Sequence, residues 1–201
     1  MQAQTVEVTN PFYVGYEVSI GMPYYTLKSD IPQLANLHVS NFGVTAGTIL
    51  ANQRYKLKAN AGLYYSDSSV PYTLDLFTGN ISTSIYLLRL REINYHTLEP
   101  YIVGGASVKQ ITFYGSYLDY TQHNFSISDE HLLGRVVSTQ FNIGLGTEFQ
   151  LESDQAQFIH FFTEITLGLP LIIRSTNTAF DNTRPTYPLC ISVGLSFGEI
   201  R

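Results

Sequence analysis

Two patterns in this sequence carry groups able to react or to pair. The first is His38-Val39-Ser40-Asn41, in which a base and a hydroxyl stand two residues apart. On a strand that spacing puts both side chains on one face. A histidine beside a serine begins a nucleophile–base pair, which needs a carboxylate to orient the ring. No carboxylate is evident on the outward face of a neighbouring strand. The expectation is therefore that the chain is not an enzyme, with catalysis by His38 and Ser40 as the alternative. The second pattern is a set of charges: Glu17, Lys56, Lys58, Arg89, Lys109, Glu148, His160 and Glu164. They fall on one parity of segments whose other parity is apolar.

The segments that must position these groups alternate apolar and polar residues throughout. In Gly134–Leu151 the odd positions Val137, Phe141, Ile143, Leu145 and Phe149 face one way. The even positions Ser138, Gln140, Asn142, Gly144, Gly146 and Glu148 face the other. An average strand has about 5–6 residues, whereas a tilted strand crossing a bilayer needs about 9–11. The same alternation runs through Val14–Gly21, Asn41–Thr48, Arg54–Tyr65, Ile159–Leu169 and Tyr187–Phe197. In Asn80–Ile93 either parity misplaces a polar group; the expectation is Arg89 and Arg91 inward, with a bulge near Ser84. In Pro100–Phe113, Ile102, Gly104, Ala106 and Val108 are expected outward and Lys109 inward.

Short connections at Asn52-Gln53, Asn94–Glu99 and Glu152–Gln155 alternate with long ones at 24–36, 66–78, 115–133 and 175–184. Asp30–Ala35 has room for one helical turn. Transmembrane barrels show this asymmetry, with short turns inside and longer loops outside. The reading is all-β: an eight-stranded antiparallel up-and-down transmembrane β-barrel forming one domain over residues 1–201. Residues 1–11 are expected as a periplasmic segment and 198–201 as a periplasmic tail. Met1-Gln2-Ala3-Gln4 lacks the basic and apolar regions of a signal peptide. Gln-Ala-Gln suits the start of a mature chain after signal removal, with Met1 an added start.

Composition supports this frame. Charged residues make up 13% of the chain, against roughly 25% in an ordinary globular protein. There are 15 Tyr and 12 Phe but no Trp, and aromatics gather where strands end. Tyr24, Tyr25, Tyr64, Tyr65, Phe113, Tyr114 and Tyr187 are expected to form an interfacial girdle, with Tyr72 and Tyr117 nearby. A net charge of −5 argues against nucleic-acid binding. One cysteine, Cys190, rules out a disulfide framework. The longest apolar run, Leu169–Ile173, contains Pro170 and is too short for a membrane helix.

With the charged face inward, the charges should pair, because an isolated buried charge is costly. Four Lys/Arg against three Glu leave cations in excess, which gives a salt-bridge plug or, alternatively, a narrow anion-preferring channel. His160 and Glu164 lie about 13 Å apart along a strand and should not touch. A satisfied lumen histidine is expected rather than a metal site with Glu148. No metal and no cofactor is expected.

Pro100-Tyr101-Ile102-Val103-Gly104-Gly105-Ala106-Ser107 resembles the strand opening after a periplasmic turn in small outer-membrane proteins. The closing Ile191-Ser192-Val193-Gly194-Leu195-Ser196-Phe197 does too. The whole chain resembles the outer membrane protein β-barrel domain family, the PorT-like relatives of OmpA and OmpX barrels in Bacteroidota. That resemblance implies an integral protein of the bacterial cell outer membrane with a structural or interaction role, such as an accessory subunit of an envelope assembly. It departs from such chains in placing Gly-Glu-Ile-Arg after Phe197. His38-Val39-Ser40-Asn41 also resembles the His-x-Ser-Asn signature of outer-membrane lipid A deacylases, although that family carries it much later in the chain. The partners implied are outer-membrane lipid or lipopolysaccharide, and envelope proteins met through loops 66–78, 115–133 and 175–184.

Overall fold

The computed structural model describes residues 12–201 except 33, 53, 67–71, 88–97, 116–130 and 154–156. Its strands are β1 (Tyr13–Lys28), β2 (Leu37–Ser40), β3 (Phe42–Ala51), β4 (Tyr55–Tyr65), β5 (Tyr72–Tyr86), β6 (Leu98–Gly115), β7 (His131–Ser153), β8 (Gln157–Ser175) and β9 (Arg184–Ile200). All ladders are antiparallel, and β9 returns to β1 and closes the sheet. β2 and β3 pair with successive stretches of β1, so they form one stave broken at Asn41. There the Asn41 N–H donates to Pro23 O at 3.0 Å and its side-chain amide to Leu74 O at 3.2 Å. The result is the eight-staved up-and-down transmembrane barrel that the alternation implies.

Alternating parity decides what faces out. Val14, Tyr16, Val18, Ile20 and Met22 of β1 are exposed, while Gly15, Glu17, Ser19 and Gly21 between them are buried. The apolar parity of β4, β7, β8 and β9 also faces outward, and Leu145 is 63% exposed. A large apolar surface of this kind is stable against lipid tails and a liability in water. Ile102, Ala106 and Val108 face outward as read from the sequence. In β5 the outward residues are Phe77, Ile81 and Ile85, and Ser82 and Ser84 are buried.

Several expectations are corrected. No bulge occurs at Ser84; β5 keeps one register with both neighbours. Bulges sit instead at Tyr24/Thr26, Phe113/Tyr114, Thr139/Gln140 and Gln150/Glu152. Residues 198–201 do not trail as a tail. Gly198 pairs with Gly15 and Glu199 with Val14, and Arg201 exchanges two backbone bonds with Phe12. Closing the barrel satisfies these groups, which an open edge would leave bare. The loop-end connections are also shorter than expected, since β1 runs on to Lys28 and β7 starts at His131. Where one helical turn was expected, the Leu34 and Ala35 N–H groups both donate to Ile31 O, at 2.9 and 3.0 Å. The N-terminal segment 1–11 lies outside the described residues.

Candidate functional site

The interior has two storeys with a cavity between them. At the turn end, Glu17 (β1), Lys56 and Lys58 (β4), Glu148 (β7) and Glu164 (β8) are all buried. Lys56 Nζ lies 3.1 Å from Glu17 Oε2 and 3.3 Å from Glu148 Oε1. Lys58 Nζ lies 2.5 Å from Glu164 Oε2 and 3.8 Å from Glu17 Oε1. His160 Nδ1 sits 2.7 Å from Glu148 Oε1. The sequence reading put His160 beyond reach of Glu164, and its contact is with the neighbouring stave.

Four further residues complete the cluster, and sequence reasoning missed their roles. Tyr86 donates to Glu148 Oε2 at 2.5 Å, and Tyr101 donates to Glu164 Oε2 at 3.2 Å. Ser196 accepts from Lys56 at 2.9 Å and donates to Glu17 Oε2 at 3.3 Å. Both ammonium groups lie over the Phe162 ring, 5.2 and 5.7 Å from its centroid. Inward parity was the available signal for these four; only the barrel shows which of the inward residues meet. Room for Tyr101 comes from Gly146, where a Cβ would stand 2.4 Å from the Tyr101 ring.

Among the described residues, the cluster holds two lysines and three glutamates, so the expected excess of cations is not found there. Arg89 lies outside the described residues. Lys109 stands apart, lining a cavity of about 70 Å³ with Asn60, Asn80, Asn142, Ser107 and Cys190. That space suits a few waters at roughly 10–15 Å³ each. None of the ion pairs among the described residues includes Lys109. No group of three or more His, Cys, Asp or Glu among them is arranged to hold a metal.

Above the cavity the lumen turns apolar. Tyr25, Leu27, Leu34, Val39, Tyr64, Leu74, Leu76, Ile111, Phe113, Val136 and Phe180 form one buried core. Phe180 belongs to a short 3-10 helix, Thr178–Phe180, in the β8–β9 connection; its ring packs 4.8 Å from that of Phe113. Three residues expected in the outer girdle are therefore inside: Tyr25, Tyr64 and Phe113. Tyr24 and Tyr65 do face outward, beside Phe42 and Phe77, and Tyr114 is half-buried. The side chains of Tyr72, Tyr117 and Tyr187 lie outside the described set. At the turn end, Tyr16, Tyr55 and Phe197 are exposed aromatics that the girdle expectation omitted.

His38 and Ser40 share the exposed face of β2. His38 Nδ1 is 2.9 Å from Thr26 Oγ1, and its ring stacks on Tyr24. Among the described residues, no hydrogen bond joins His38 to Ser40 or to a carboxylate.

No protein-family model matches this chain, and no curated protein matches it. Among solved structures it is similar to Neisserial surface protein A, with a TM-score of 0.50 at 10% identity, covering 90% of this chain and 96% of that one. The N-terminal β-barrel domain of Pseudomonas aeruginosa OprF aligns at a TM-score of 0.43 and 14% identity, covering 90% and 96%. Ail of Yersinia pestis, solved with the heparin analogue sucrose octasulfate, aligns at 0.42 and 10%, covering 96% and 100%.

Proposed function

We propose that this protein is a non-catalytic, non-conducting integral barrel of a bacterial outer membrane, acting through its outer surface and loops as a structural or interaction component. An accessory subunit of an envelope assembly is the form of that role we favour, in keeping with the resemblance to PorT-like barrels of Bacteroidota. The carrying observation is the filled lumen. Among the described residues an ion cluster occupies one end and an apolar core the other, with a cavity of about 70 Å³ between. Eight staves leave a bore that side chains can fill, so the surfaces left to act are external. Of the three loops named as contact sites, 175–184 is described throughout, whereas 67–71 and 116–130 lie outside the described residues.

Purification from the native outer membrane in mild detergent, followed by mass spectrometry, tests the reading. A stoichiometric envelope protein is the expected result; steady single-channel conductance of the pure protein in planar bilayers would overturn it. The competing deacylase-like reading draws on the shared face of His38 and Ser40. It is weakened by the engagement of His38 with Thr26 and by the lack of an orienting carboxylate among the described residues.

A further inference from the structure

The outward face changes chemistry abruptly at the loop end of four consecutive staves. On β7 it climbs through Leu145, Ile143, Phe141, Thr139 and Val137, and the next outward residue is the exposed Arg135. On β8 it climbs through Ile165, Leu167, Leu169, Leu171 and Ile172 to the exposed Arg174. On β9 the bulge opposite Tyr24/Thr26 resets the parity and turns Arg184 outward, and on β1 Lys28 follows Met22, Tyr24 and Thr26. The first charged outward residue above the apolar belt is thus a cation on each of β7, β8, β9 and β1. On the other side of the barrel the outward loop-end positions of β2, β3 and β6 are uncharged, and β5 carries Asp75.

Within the sheet these cations neighbour one another in pairs. Lys28 pairs directly with Arg184 across the β1–β9 ladder. Arg174 pairs with Val137, which places it diagonally beside Arg135, roughly 7–8 Å away by sheet geometry. Like charges directly opposite, as Lys28 and Arg184 are, destabilise a sheet. Asp30 and Asp181 line the same loop-end pocket as Lys28 and Arg184, where they accept from Asn182 and Ser175, so the less offset pair is Arg135 with Arg174. None of the four cations belongs to an ion pair among the described residues. Directly below Arg174, the extra residue of the β8 bulge leaves both Leu171 and Ile172 on the outer face, 66% and 55% exposed.

Two like-charged pairs above an acyl-compatible strip match one kind of partner, an anionic headgroup on an acylated lipid. Arginine forks bind phosphate oxygens two at a time, and basic clusters at a membrane boundary recruit anionic lipids. We infer that Arg135, Arg174, Arg184 and Lys28 form a docking arc for the phosphorylated headgroup of an outer-leaflet glycolipid, whose chains lie along Leu169, Leu171 and Ile172. This rests on the outer-membrane reading, which sets the loop end in the outer leaflet.

The test adds bisphosphorylated lipid A to the full chain in neutral detergent and measures retention by native mass spectrometry. The same lipid without phosphates and inorganic phosphate alone are run beside it. Wild type should retain the phosphorylated lipid about 10-fold better than the dephosphorylated one, since several charge-assisted bonds are lost. The quadruple variant Arg135→Gln, Arg174→Gln, Arg184→Gln, Lys28→Gln should lose at least that factor. Arg54→Gln at the turn end should change nothing. Equal retention by the quadruple variant, or by both lipids, overturns the arc. Full competition by inorganic phosphate would make it a free-anion site and overturn the lipid as its occupant. Heat-modifiable gel mobility shows whether each variant is folded, and paired single-site variants replace any that is not. Membrane fractionation separates the two failures. A chain outside the outer membrane defeats the underlying reading, whereas one within it that shows no lipid preference defeats only the arc.

Discussion

The two storeys of the lumen obey opposite rules. At the turn end the barrel is apolar outside and charged inside, with Lys56, Lys58, Glu17, Glu148 and Glu164 meeting at its centre. At the loop end it is apolar inside, around Tyr25, Leu27, Phe113 and Phe180, and polar outside, with His38, Ser40, Arg135 and Arg174. Strand length explains the inversion. About 9–11 residues cross a bilayer, but β1 has 16 and β7 has 23. The excess stands beyond the lipid, where water replaces acyl chains outside and the driving force for apolar burial points inward again. The lower barrel follows membrane rules, and its upper extension folds like a small soluble barrel.

That contrast can be broken from either side. The largest effect is expected from Lys56→Met, which leaves Glu17 and Glu148 buried without their shared cation. Loss of one partner from such a cluster costs about 3–5 kcal/mol, read as a lower urea midpoint in detergent or bilayers. Phe113→Ala should cost about 3–5 kcal/mol by opening a void in the upper core. Its loss should appear first as protease sensitivity of the loop end, with the heat-modifiable barrel retained. Gly146→Ala pushes a methyl into the Tyr101 ring and should cost about 1–3 kcal/mol. A double-mutant cycle on Tyr101 and Gly146 sharpens it: Tyr101→Phe should leave most of the penalty, because the clash is with the ring, and Tyr101→Ala should remove it. Ser40→Ala, on the exposed upper face, should stay within about 0.5 kcal/mol of wild type and leave the cell's lipid A mass spectrum unchanged. A lipid A species that disappears with this variant would revive the enzyme reading.

The sequence made the lower storey legible because lipid enforces strict alternation there. Val14 to Met22 or Phe141 to Leu145 has only one parity that can face acyl chains, so Glu17 and Glu148 had to point inward. The girdle was misread where that alternation was not followed to the strand ends. Tyr25, Tyr64 and Phe113 lie on the same inward parity as Glu17, Lys56 and Lys109, and reading them as girdle residues set aromatic type and nearness to a strand end above that parity. The bulge placed at Ser84 failed because polarity there is satisfied by serines facing the lumen, with no register change needed.

Alone, the sequence determined the number of staves, their up-and-down order and the face each shows to lipid. These come from local alternation and connection length, and both are properties of neighbouring residues. Tertiary structure decided which inward charges meet, because Lys58 and Glu164 are 106 positions apart and touch only when the barrel closes. It also decided that Gly198 to Arg201 complete the wall, and that the Phe180 ring from the β8–β9 connection packs into the upper core. Those contacts depend on curvature and register summed around the closed sheet, which no local pattern encodes.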